Sequence, residues 1–180
     1  KIRRAASFKA KLNIGNGIIM SKILYLLPVY WGCPDYLLKS IQTKQTEAMR
    51  QITGRRWVIP GKQFVLTSVL LKECGWLSIR QLSFYTTVIC VHKTLLNKVP
   101  KFLYGKLTSG HSYNTRGTAH HQVERTRVDE ARLKLAATSY RWRGHEQHSI
   151  IPYGLQDETD MNVFKTKLKW WVRENVPIQF

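Results

Sequence analysis

Acidic residues are scarce in this sequence. Residues 1–123 hold only Asp35, Glu47 and Glu73, against 19 Lys and Arg. Two-metal polymerases and nucleases need carboxylates that converge within a few ångström, and three acids so far apart do not supply them. Cysteine is scarce as well. Cys33, Cys74 and Cys90 form no Cys-x-x-Cys pair, which excludes a zinc ribbon and a disulfide framework and suits a reduced compartment. The expected localisation is therefore nuclear or cytoplasmic. The most apolar stretch, Gly17 to Cys33, is interrupted by Lys22 and Pro28 and falls short of the about 20 apolar residues of a membrane helix. No signal peptide is legible. A Lys at position 1, in mid-pattern, is expected of a fragment or a processed piece.

The motifs of catalysis are missing too. There is no Gly-x-Ser-x-Gly elbow and no Gly-x-x-x-x-Gly-Lys phosphate loop. His145 and His148 sit one residue short of the His-Glu-x-x-His spacing that puts two imidazoles on one helix face. With His120 and His121 they read as surface histidines. Asp157, Glu158 and Asp160 read as a solvated helix start favoured by the helix dipole, rather than as a cation site. Cys74 and Cys90 read as core residues. No catalytic residue, metal ligand or cofactor is assigned to the chain.

What is present is positive charge. The 180 residues carry a net charge of +18 with 43% hydrophobic residues, enough apolar material for a core in one domain or one domain with an appendage. Residues 124–180 are nearly balanced, with 10 basic and 8 acidic residues, so the surplus sits in the first two thirds. Such a field repels itself until an anion neutralises it. Nucleic-acid phosphates are the commonest such partner. An anionic membrane surface and a merely solubilising surface are the alternatives.

The periodicity predicts a mostly α fold: a helical, thumb-like bundle over residues 1–107, then a loop-rich C-terminal extension over 108–180 that ends in an amphipathic helix. Residues 1–13 read as a basic helix that Gly15 and Gly17 weaken or break. Helical pattern resumes from about Ile18 to Leu27. Leu38, Ile41, Gln45, Ala48 and Ile52 line one face of a helix that Asp35 opens and Gly54 stops. A short apolar helix is expected from Phe64 to Cys74, stopped by Gly75. Ser78 and Gln81 then make a capping box for a helix running to about Leu96. Residues 123–142 are left open between helix and extended structure, and Gly144 to Asp160 read as a loop. Phe164, Leu168 and Trp171 share a face of a terminal helix spanning about Asn162 to Glu174. That helix is expected to pack on the rest of the chain. A membrane-surface role anchored by Trp170 and Trp171 is the rival reading.

The expected phosphate contacts are Arg3, Arg4, Lys9, Lys11, Lys44, Arg50, Arg55 and Arg56, in an interrupted series of cations. Trp57 either stacks on an unpaired base or packs in the core. Lysine offers phosphate a point charge, whereas arginine offers paired hydrogen bonds.

Several separated motifs resemble the region after the catalytic palm of jockey-like non-LTR retrotransposon reverse transcriptases. The run Leu24 to Gly32 resembles an apolar helix ending in a Trp-Gly turn. Leu38, Ile41, Gln42 and Gln45, followed by Arg50, Ile52, Thr53 and Gly54, resemble a Leu-x-x-Ile-Gln-x-x-Gln…Arg-x-Ile-Thr-Gly helix. Cys74 to Ser78 resemble a Cys-Gly-Trp-Leu-Ser turn. Tyr113 to Arg116, Ile151 with Pro152, and Phe164, Lys165, Leu168 and Lys169 resemble later elements. The resemblance covers nearly the whole chain. It implies that residues 1 to about 100 are similar to the polymerase thumb and adjoining helices, which would grip an RNA or RNA–DNA template–primer by its backbone. It assigns no role to the rest.

The departures are the palm's Tyr-x-Asp-Asp motif, the fingers and the upstream endonuclease, all absent, and an Asn-x-Leu-Pro element replaced by Ser149 to Pro152. The parent enzyme would be an RNA-directed DNA polymerase needing Mg2+, with palm and fingers supplied upstream in the same polyprotein. This piece alone would not polymerise. The competing expectation is a helical protein-interaction or scaffold domain with no nucleic-acid role.

Overall fold

The computed structural model describes residues 6–25, 27, 35–55, 66–96 and 140–178. Helices take up 81% of them and no strand occurs among them, so the fold is mostly α. No helix among the described residues is long and apolar enough to cross a membrane. The chain divides into two compact units: Lys1–Ser83 with Asn175–Phe180, and Phe84–Glu174. The expected boundary between residues 107 and 108 lies outside the described residues.

In the first unit, Ser7 caps α1 (Phe8–Ile14), its hydroxyl accepting from the Ala10 N–H at 3.3 Å. The chain does not break at the glycines, contrary to the sequence expectation. It runs on through a π-helical turn (Gly15–Met20) into α2 (Ser21–Leu24), and the Ser21 N–H donates to the Asn16 carbonyl five residues back. Packing explains the glycine. A Cβ on Gly15 would lie 2.7 Å from Ile52 Cδ1 and 3.3 Å from the Trp76 ring. Gly15 is thus a point of close approach between the π turn and its neighbours, in ordinary right-handed geometry. The wider π turn also keeps Gly15 and Met20, five residues apart, both buried. Asn16 Oδ1 accepts from Trp76 Nε1 at 2.8 Å.

Helix α3 (Asp35–Thr53) buries Leu38, Gln45, Thr46, Ala48, Met49 and Ile52. Gly54 ends it at φ 71°, the left-handed conformation that glycine adopts without steric cost. Helix α4 (Thr67–Cys74) ends in a Schellman motif. Gly75, at φ 66°, donates to the Lys72 carbonyl, and Trp76 donates to Leu71. The expected capping box is present: Gln81 Oε1 accepts from the Ser78 N–H at 3.1 Å, and Ser78 Oγ from the Gln81 N–H at 3.2 Å. Gln81 also donates to the Val176 carbonyl at 2.9 Å.

Helix α5 (Ile79–Leu95) carries the boundary between the units within it. It is buried around most of its circumference, taking in Ser83, Thr87 and His92 as well as Ile79, Leu82, Val88 and Val91. A single apolar stripe in the sequence therefore understated its burial. The second unit continues with α6 (Tyr140–Ile150), α7 (Tyr153–Gln156) and α8 (Met161–Asn175). Helices α6 and α7 replace most of the loop expected from Gly144 to Asp160. Asp160 caps α8, its Oδ1 accepting from the Asn162 N–H at 2.7 Å. Phe164, Leu168 and Val172 of α8 are completely buried. Fully burying each such side chain contributes roughly 1.5–3 kcal/mol.

Candidate nucleic-acid interface

Two of the motifs that carry the sequence resemblance, the glutamines of α3 and the Cys74–Ser78 connector, meet in one polar junction of the first unit. Gln45 is fully buried and its Nε2 donates to the Leu77 carbonyl at 2.8 Å. Gln42 Nε2 donates to Gln45 Oε1 at 2.8 Å, and Gln42 Oε1 accepts from the Ile79 N–H at 2.8 Å. Gln42 and Gln45 of α3 thus satisfy the Leu77 carbonyl of the Cys74–Ser78 connector and the otherwise unpaired Ile79 N–H in the first turn of α5. Trp76 of the same connector packs on Gly15. These positions build the scaffold. The sequence signal for them was two glutamines on an otherwise apolar helix face, which implies partners for buried amides.

The cations stand around this scaffold. Gly15 meets Ile52, and Met20 meets Gln45 at 3.7 Å, so the α1 to α2 run lies antiparallel to α3. That register carries Lys9 and Lys11 toward the end of α3 that bears Arg50 and Arg55. Lys44 is about 9 Å back along α3 from Arg50, at 1.5 Å per residue. Lys9 is exposed, Lys11 and Arg50 half-buried. Lys44 pairs with Glu47 at 3.1 Å. Arg55 holds Glu73 with two guanidinium nitrogens, Nε at 3.0 Å. This fork bridges the chain beyond α3 to α4, so Arg55 is committed to an internal carboxylate. Arg3, Arg4, Arg56 and Trp57 lie outside the described residues. Lys9, Lys11, Lys22, Lys39 and Lys72 make no ion pair among the described residues.

The second unit offers polar groups of another kind. His92 and His148 are both buried, which corrects the surface reading of His148. The side chain of His145 and residues 120–121 are outside the described set. The Glu158 carbonyl only accepts, so His92 Nε2–H donates to it at 2.8 Å. In the neutral ring this leaves His92 Nδ1 to accept from His148 Nε2 at 3.3 Å. His92 also stacks on Phe164, with centroids 3.7 Å apart. Glu158 pairs with Lys167 at 2.8 Å, and that hydrogen bond holds its carboxyl below the ordinary range. Burial, then the Glu73 charge, push the Cys74 thiol up to about 11, so it stays protonated and inert at neutral pH. Among the described residues no three His, Cys, Asp or Glu side chains group as metal ligands do.

The described residues define a mostly α, strongly cationic protein whose first unit exposes unpaired lysines. Comparison with family models, curated proteins and solved structures gives no match.

Proposed function

We propose that the chain binds nucleic acid by its backbone, without sequence preference, as the thumb-like, post-palm piece of a non-LTR retrotransposon reverse transcriptase. One observation carries this reading. The acids of the first unit are few, and two of the three described are internally paired, Glu47 with Lys44 and Glu73 with Arg55. Among the lysines that remain, Lys9 is exposed and Lys11 half-buried, and neither forms an ion pair among the described residues. The order of motifs in the sequence supports the family, and the junction of Gln42, Gln45 and the Cys74–Ser78 connector gives two of those motifs a common structural purpose. The partner is an RNA or RNA–DNA duplex, and palm and fingers come from elsewhere.

The test is a salt titration of duplex binding by fluorescence anisotropy. Each phosphate contact contributes about −0.9 to the slope of log affinity against log salt. The double change Lys9→Gln with Lys11→Gln is expected to reduce the slope by about 2, uniformly across sequences. A flat salt response of the unaltered chain rejects the reading.

A second reading is a protein-interaction domain. It is supported by Ile14, Ile18 and Tyr25, which are 54%, 56% and 75% exposed on the α1 to α2 run. It predicts that neutralising the lysines leaves partner binding intact.

A further inference from the structure

The α1 to α2 run leaves apolar side chains in water that the core of the first unit does not take up. Gly15 and Met20 are buried, the one against Ile52 and the other against Gln45 of α3. Ile14 and Ile18, four residues apart, are 54% and 56% exposed, and Tyr25 is 75% exposed. Lys22 follows Ile18 by four residues and precedes Tyr25 by three, so the four side chains succeed one another at the spacing of neighbours on a helix surface. Single exposed apolar residues are ordinary, whereas adjoining ones mark a surface that meets a partner. Beside them Gly17 is exposed, with no atom of the described residues within 4 Å of where a Cβ would stand, so a partner meets no side chain there.

Charge selects among the occupants. Lys22 is exposed and makes no ion pair among the described residues. Acids are few around it. Residues 1–83 hold only Asp35, Glu47 and Glu73, and the last two are paired with Lys44 and Arg55. A second copy laid on the strip would bring the same cationic surplus, and like charges across an interface oppose association. A nucleic acid would satisfy Lys22 but leave both isoleucines without apolar cover. A bilayer takes up a broad apolar face, and here Gly15 and Met20 already turn part of the run inward.

We propose that the strip of Ile14, Ile18, Lys22 and Tyr25 docks an acidic amphipathic helix of another protein. The apolar stripe of that helix covers the isoleucines and Tyr25, in the manner of anchors at i, i+3, i+4 and i+7, and a flanking carboxylate pairs with Lys22. This names the partner class for the protein-interaction reading of the same run and rests on that reading. Lys9 and Lys11 are not part of the strip, so a duplex grip is left untouched.

The test uses the full chain and a labelled, alanine-rich peptide of about 18 residues, with leucines at helical spacing flanked by glutamates. Anisotropy titrations at low salt compare it with the same peptide carrying glutamine or lysine at every glutamate. The glutamate peptide is expected to bind best and the lysine peptide worst. Ile14→Ser and Ile18→Ser each weaken the glutamate peptide about 5-fold, as half an isoleucine side chain returns to water. Their Tm changes little, because both side chains are already half in water. Lys22→Glu weakens the glutamate peptide about 5-fold and strengthens the lysine peptide relative to the unaltered chain. Lys9→Gln with Lys11→Gln leaves peptide affinity unchanged.

Equal binding of all three peptides, dependent on the isoleucines, overturns the acidic partner and leaves the protein-interaction reading standing. Failure of all three, or binding that neither isoleucine change alters, rejects both. A dimer in sedimentation equilibrium that Ile18→Ser dissolves assigns the strip to a second copy. Isoleucine-dependent retention by phosphatidylserine vesicles assigns it to a membrane, and a loss of RNA–DNA duplex affinity in Ile18→Ser assigns it to nucleic acid. Each of these three results overturns the proposal.

Discussion

Each unit is held together internally by a different chemistry. In the first, amide side chains reach backbone groups: Gln45 to Leu77, Gln42 to Ile79, and Ser78 with Gln81 in mutual capping. In the second, rings stack: His92 on Phe164 and His148, and Phe84 beside Trp171. Hydrogen bonds of the first kind are directional, and leaving one partner unsatisfied costs more than the bond itself contributes. That explains why the first unit shows contiguous, readable motifs. Stacking tolerates exchange of similar shapes, so the second unit shows only scattered apolar positions. The charge differs in parallel, acid-poor in the first unit and nearly balanced beyond residue 123.

The largest expected effect breaks the ring cluster. Phe164→Ala removes a fully buried ring and the stacking partner of His92, at about 3–5 kcal/mol, read as the shift of the denaturant midpoint. Next comes the polar junction. Gln45→Ala leaves the Leu77 carbonyl without its donor, at about 1–3 kcal/mol. Gln45→Leu is expected to give no rescue, which separates hydrogen bonding from volume. A rescue by Leu would erase the distinction between the units.

A smaller effect sharpens the contrast further. Gly15→Ala is expected to cost about 1 kcal/mol by overpacking, since Ile52 Cδ1 has some room to turn away. Paired with Ile52→Val, which removes that atom, it should show favourable coupling in a double-mutant cycle. Additive costs would mean that the close approach at Gly15 does not restrict side-chain size.

The smallest effect is electrostatic. The folded value of the Glu158 carboxyl is depressed by Lys167. Its stabilisation is therefore present above the ordinary carboxylate value and lost as the pH falls through the depressed one. Glu158→Gln should lower Tm slightly at neutral pH and not at all once the pH is below both values. Equal shifts at both pH values would remove the ion pair as the cause.

Local rules made much of this legible. The Ser78–Gln81 capping box, the stops at Gly54 and Gly75, the buried face of α3 and the amphipathic α8 each depend on residues within a turn or two of one another. Helix α6 was not legible, because Gly144 weakens the helical pattern of its sequence and the side chains it buries, Gln147 and His148, are polar. The candidate interface was legible in its charge and not in its geometry. Arg55 is drawn off by Glu73, 18 residues away, and Lys44 by a closer acid. Lys9 and Lys11 remain with no ion pair among the described residues.

The sequence by itself determined the helical class, the helix ends and the excess of cations, since propensity, capping and net charge are local or additive properties. Only the tertiary structure decided which charges are already neutralised, that the helix passes through Gly15 instead of ending there, that His148 is buried against His92, and that Trp170 faces solvent while Trp171 does not. Most of those outcomes depend on residues 18 to 87 positions apart, from Arg55 with Glu73 to Phe84 with Trp171, being brought within hydrogen-bonding or van der Waals range. No local pattern encodes that proximity.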